Sequence, residues 1–137
     1  MNYLLDTNAC IALINGKPAS VRTRLQKATA GGAQMFVSSV VVFELWYGVS
    51  KDLREAFNSK RLQTFLAGPI FLLPFEDEDA KVAGSVRAAL ESSGKPVGAY
   101  EVLIAGQALK RQLTLVTANV SEFSRVKGLI WQDWARV

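Results

Sequence analysis

Short apolar runs alternate along this chain with stretches whose hydrophobic positions recur at helical spacing. Asn2 to Leu5 is the first such run, and it stops at Asp6-Thr7-Asn8, a turn and helix-cap signature. Ala9 to Ile14 then reads as a short helix closed by Asn15-Gly16. From Pro18 to Ala30, Val21, Leu25 and Ala28 keep a helical period until Gly31-Gly32 ends it. Met35 to Ser38 predicts a second strand, and Ser38 or Ser39 can cap a helix running to about Ser50. Leu53 to Leu66 predicts another helix, Ile70 to Leu73 a third strand, and Glu76 to Ser92 a helix with an acidic first turn. Tyr100 to Arg111, Leu113 to Val116 and Leu129 to Trp131 supply a further helix, a fourth strand and a fifth. Strands alternating with helices predict an α/β fold: one open, mainly parallel sheet of four to five strands, covered by helices on both faces. No linker, repeat or low-complexity tract divides residues 1–137, so a single domain is expected.

Composition narrows the chemistry. The chain has no histidine and one cysteine, Cys10. Ser-His-Asp and Cys-His nucleophiles, imidazole zinc sites, intrachain disulfides and four-thiolate sites are therefore excluded. Neither a P-loop nor a G-x-G-x-x-G phosphate loop occurs. No basic-then-apolar leader opens the chain, and the apolar stretch Met35 to Val49 is too short to span a bilayer, so a reducing cytoplasm and no membrane are expected. The formal charge is +4, all of it from residues 1–75, which hold 8 basic and 4 acidic groups. Lys17, Arg22, Arg24 and Lys27 have no acid among them and suit a phosphate backbone, or simply a solvated helix face.

In open parallel sheets, functional groups gather beyond the carboxyl ends of the strands. Asp6 follows the first predicted strand, Glu44 lies in the helix after the second, Glu101 opens the helix leading into the fourth, and Asn119 follows the fourth. Taken singly, each has a structural reading: Asp6 as a helix cap, Glu44 in a salt bridge, Glu101 as a first-turn acid, Asn119 as a turn residue. Taken together, three acids and an amide at one sheet edge suit an all-oxygen site for Mg²⁺ or Mn²⁺, an ion that can activate water against a phosphodiester without histidine. The run Glu76-Asp77-Glu78-Asp79 spreads around a helix turn and reads as structural. Trp46, Tyr47, Phe57 and Phe65 could line an apolar groove for a partner helix, although the core is the expected place for each. A phospho-acceptor receiver domain shares the α/β plan, but Asp6 stands alone after strand one and strand three ends in Leu73-Pro74-Phe75.

Leu4-Leu5-Asp6-Thr7-Asn8-Ala9-Cys10-Ile11 resembles the opening motif of PIN-domain nucleases, specifically VapC toxins of bacterial toxin–antitoxin pairs. Phe43-Glu44-Leu45-Trp46-Tyr47-Gly48 is similar to their second motif and Pro96 to Gly106 to their third. Leu115 to Phe123, followed by Val126-Lys127-Gly128-Leu129 and Asp133-Trp134, resembles the C-terminal end. The resemblance implies a PIN fold and an Mg²⁺- or Mn²⁺-dependent endoribonuclease cutting RNA, with tRNA the expected substrate. Asp6 and Glu101 would be the principal metal ligands, Glu44 would complete the acidic cluster and Asn119 would take the variable fourth place. Thr7, Asn8 and Thr117 would orient ligands through hydrogen bonds. Glu122 lies near the fourth motif; it is either a supporting group or, the preferred expectation, a surface acid. The resemblance further implies a homodimer and a hetero-oligomer with a VapB-type antitoxin, with DNA reached only through the antitoxin. One departure stands out: the family usually has aspartate where this chain has Glu101. A misplacement of about 1 Å can cost on the order of a hundredfold in rate, so an attenuated, antitoxin-binding regulatory module is the alternative.

Overall fold

The computed structural model describes residues 1–136. It contains the strands β1 (Tyr3–Leu5), β2 (Met35–Ser38), β3 (Phe71–Leu73), β4 (Thr114–Val116) and β5 (Trp131–Gln132). Between them run α1 (Thr7–Asn15), α2 (Ala19–Ala30), α3 (Ser39–Ser50), α4 (Glu55–Leu66), α5 (Asp77–Ser92), α6 (Ala99–Arg111) and α7 (Val120–Phe123). All strands are parallel, in the order β3-β2-β1-β4-β5. Helix pairs carry the chain from β1 to β2, from β2 to β3, and from β3 back across to β4, as parallel pairing requires. The expected α/β sheet is present, with one helix beyond those predicted, the four-residue α7.

Tyr3 to Leu5 and Thr114 to Val116 are buried at every position, although successive side chains point to opposite faces. Both faces of the central sheet are therefore covered. Leu4, Leu5, Val37, Val41, Leu115, Cys10 and Ala105 lie wholly inside, and Trp134 closes the far end, its ring edge-on to Tyr3 at 5.0 Å. The outermost strand β3 instead exposes about half of Phe71 and Leu72.

Two contacts fix α5 against α6. At their closest approach a Cβ on Gly106 would come within 2.5 Å of Ala83 Cα and 2.6 Å of its Cβ. Replacing Gly106 by alanine must spread the two helices, and a loss of about 1–3 kcal/mol in a denaturant titration is expected. At the other contact, the acidic run forms a knot. Asp79 is fully buried and accepts the Glu76 N–H (2.8 Å) in a capping box, while Arg111 donates to both Asp79 oxygens (3.0 and 3.1 Å) and to Glu76 (2.8 Å). Gln107 links Asp79 to the Pro74 carbonyl. Burial alone would raise the Asp79 pKa; the Arg111 hydrogen bonds and charge, together with the Glu76 amide, outweigh it and hold the carboxyl below the usual range. The structural reading of Glu76 to Asp79 holds, with Asp79 facing inward.

Candidate active site

Because β2 and β4 flank β1, the chain reverses direction across the sheet at the β1–β4 pair. That reversal opens a crevice beyond the carboxyl ends of the strands, where sites in such sheets form. Asp6 sits at the crevice. Its N–H continues the sheet by donating to the Val116 carbonyl (3.1 Å), and its side chain caps α1 by accepting the Ala9 N–H (2.8 Å). Only 4% of Asp6 is exposed. Burial pushes its carboxyl up to about 6, and the charges of Glu44 and Glu101 push the same way, against hydrogen bonds from Thr117 and Ala9. Capping and a place among the acids are therefore not alternatives for Asp6.

Ser38 caps α3 through the Val40 N–H (3.1 Å), and two turns later Glu44 stands half-buried. The Thr7 hydroxyl donates to Glu44 Oε1 at 2.7 Å. The ion pairs of the described residues reach neither Glu44, Asp6 nor Glu101, so the salt-bridge reading of Glu44 gives way to this hydroxyl contact. Glu101 is the third residue of α6, and its carboxylate folds back over the cap residue Gly98, where a Cβ would overlap Glu101 Oε2. Phe43 and Tyr100, each about half exposed, stack 5.7 Å apart and tie α3 to α6 beside the two acids.

Asn119 begins α7. Its N–H donates to the Thr117 hydroxyl (2.9 Å) and its side-chain amide to Glu122 Oε2 (2.6 Å). Glu122 Oε1 accepts the Gly98 N–H at 2.9 Å. The Asn119 amide, then the Gly98 N–H, hold the Glu122 carboxyl below the usual range. Glu122 is thus a joint between the third and fourth motifs, and the preference for a free surface acid is corrected. The signal lay in the spacing Asn119-x-x-Glu122, a capping-box pattern.

The other candidates divide. Thr117 is buried against Asp6, whereas Asn8 is exposed on the rim of a cavity of about 270 Å³ that Thr117, Lys17 and Trp134 also line. Burial and the Asp6 charge push the Cys10 thiol well up, leaving an inert core residue. Trp46 and Phe65 pack against the core, but Tyr47 and Phe57 are more than half exposed, contrary to the core expectation. Phe57, Phe65, Arg22, Lys60 and Arg61 line a groove of about 490 Å³ between α1, α2 and α4. Lys17, Arg22, Arg24 and Lys27 are all exposed, Arg22 also donating to the Leu13 carbonyl (2.9 Å).

Chemically, the crevice offers hard oxygen donors, a buried carboxylate without a cationic partner, and further negative charge around it. That donor set fits a small divalent cation. The side chains do not stand ready as a cage: among the described residues no three acidic, histidine or cysteine groups are arranged to hold an ion. Glu44 is turned to Thr7 and Glu101 to Gly98.

Comparison with known proteins identifies the class to which this parallel α/β sheet belongs. The PIN domain family matches residues 3–129. A tRNA(fMet)-specific endonuclease VapC of Shigella flexneri is 39% identical over 135 residues, covering 98% of this chain and 99% of that protein. Ribonuclease VapC2 of Rickettsia felis is 37% identical, covering 98% of each. The solved structure of VapBC2 from Rickettsia felis bound to a promoter DNA fragment superposes with a TM-score of 0.91 at 36% identity, over 98% of this chain and 99% of that one. VapBC-1 of nontypeable Haemophilus influenzae superposes at 0.87 and 27% identity, over 99% and 100%. The chain belongs to the PIN domain family, among its VapC ribonucleases.

Proposed function

We propose that this chain is a metal-dependent endoribonuclease and the toxin of a toxin–antitoxin pair, with Asp6 and Glu101 as the principal ligands of Mg²⁺ or Mn²⁺. Glu44 completes the acidic cluster and Asn119 takes the fourth place. The observation that carries this reading is the buried Asp6 carboxylate, raised to about 6 beside two further acids and without a cation. When bound, the ion supplies an activated water and neutralises charge developing on the scissile phosphate. The protein's own part is orientation. Thr117 and the Ala9 N–H fix Asp6, Thr7 fixes Glu44, and Asn119 is held by Glu122.

The reading of tRNA as substrate rests on the Shigella relative, and that of a VapB-type antitoxin on the VapBC complexes of Rickettsia and Haemophilus. The exposed cations of α2 suit an RNA backbone, and the groove beside Phe57 suits an antitoxin segment. A homodimer, with DNA engaged only through the antitoxin, completes the proposal. The chain works in the cytoplasm; no helix among the described residues is long and apolar enough to cross a membrane.

A second reading has its own observation, the Glu101 carboxylate folded back over Gly98. On that reading the chain is attenuated and mainly binds antitoxin. Metal-stripped protein is to be incubated with a tRNA pool, with and without added Mn²⁺ or Mg²⁺, beside a Glu101→Asp variant. Metal-dependent cleavage by both proteins is the expected result. Cleavage by the aspartate variant alone would establish the attenuated form, and cleavage by neither would overturn the nuclease proposal.

A further inference from the structure

The third position of a helix is where an acid normally reaches back to the N–H of the cap residue, closing a capping box. Helix α5 does so: its third residue, Asp79, accepts the Glu76 N–H at 2.8 Å. Helix α6 carries an acid at the same position, Glu101, and its carboxylate lies directly over the cap residue Gly98. Yet the Gly98 N–H donates elsewhere, to Glu122 Oε1 at 2.9 Å, on a residue 24 positions further along the chain. The other oxygen of Glu122 holds the Asn119 amide at 2.6 Å. The same fold thus shows one helix capped by its own third residue and another whose cap amide has been taken over by a distant carboxylate.

We propose that Glu122 is a positioning residue: by occupying the cap amide of α6 it keeps the Glu101 carboxylate available to the acidic crevice. The inference deepens the metal-site reading above and rests on Glu101 being a ligand. Without Glu122, the Gly98 N–H becomes an unpaired donor beside the Glu101 carboxylate, and α6 captures Glu101 as its own cap. A ligand locked in a capping box has an oxygen committed to the backbone. Asn119 loses its anchor at the same time.

The test uses the full chain with Mn²⁺ alone as probe, bound ion being measured by electron paramagnetic resonance, and melting temperatures in its absence. Glu122→Ala is expected to weaken Mn²⁺ binding by about tenfold or more, as removal of a ligand-orienting partner commonly does. Glu122→Gln is expected to retain clearly more of the binding than Glu122→Ala, because its carbonyl oxygen still accepts the Gly98 N–H. Equal loss in both variants would overturn the proposal by making Glu122 itself a ligand. The melting temperatures test the capture separately: Glu122→Ala should cost less in the unaltered chain than in a Glu101→Ala background, where no substitute cap exists. Equal losses in both backgrounds would show that Glu101 does not take the Gly98 amide. If the unaltered chain binds no Mn²⁺, the metal-site reading fails, and the melting comparison still decides the capture.

Discussion

Asp6→Asn is expected to abolish metal-dependent RNA cleavage and, in the metal-free protein at pH 7, to raise the melting temperature. Asparagine keeps an oxygen for the Ala9 N–H, so the α1 cap survives, but it carries no charge for an ion. The stability effect follows from the raised pKa. In the unfolded chain the carboxyl ionises near 3.8, in the fold at about 6. Between those values the folded state holds more protons than the unfolded one, so the free energy of unfolding falls as pH rises. The penalty is nearly absent at pH 3 and almost complete by about pH 7, with a ceiling of about 3 kcal/mol from 1.36 kcal/mol per unit. Calorimetry with chelator present should show unaltered and Asp6→Asn proteins melting together near pH 3 and the variant higher by on the order of 5 °C at pH 7. Mn²⁺ should then raise only the unaltered protein. A gap independent of pH would mean that Asp6 bears no such penalty.

Arg111→Met is the second large effect, and of the opposite sign. The substitution preserves much of the side chain's apolar stem but strips Asp79 of its cation while leaving the carboxylate at zero exposure. Removing the cation from one side leaves the buried Asp79 carboxylate without its partner, so a marked loss of stability is expected. The Asp79 pKa is lowered in the fold, so its contribution is present above the unfolded value of 3.8 and is lost as pH falls below it. Urea titrations should therefore show the gap between the two proteins at pH 7 shrinking toward pH 3. Cleavage at low temperature should persist, because Arg111 lies about 15 Å along α6 from Glu101. Undiminished stability at pH 7 would show that Asp79 finds another partner.

The alternation of strands and helices was readable because each β-run is bounded by turn chemistry: Asp6-Thr7-Asn8 after β1, Ser38 before α3, Gly68-Pro69 before β3. What escaped was short or non-local. Helix α7 spans four residues, too few to show a period. The last strand lies at Trp131–Gln132 rather than Leu129 to Trp131, because its place is set by pairing with Leu115 and Val116. At the site, Asp6 and Asn119 could be placed from strand ends and Glu44 and Glu101 from the helices beside them, and the fold brings the two glutamates near enough to raise the Asp6 pKa. The partners that hold the site were harder to see. Glu122 meets Gly98 across 24 residues and Asp79 meets Arg111 across 32, pairings that residue type does not announce. Tyr47 and Phe57 are aromatic yet exposed, since side-chain hydrophobicity says nothing of which helix face is left uncovered.

The central strand also carries a consequence for how the protein is made. Asp6 leaves the ribosome well before β4, but its backbone is pinned by the Val116 carbonyl and its carboxyl by Thr117. Glu122, which joins α7 to the start of α6, emerges later still. A polypeptide halted before residue 116 holds Asp6 and Glu44 without the strand that aligns them, however long the delay. Synthesis itself therefore acts as a safety interval: on the nuclease reading, the chain cannot attack RNA around the ribosome that is building it until β4 and α7 have been made.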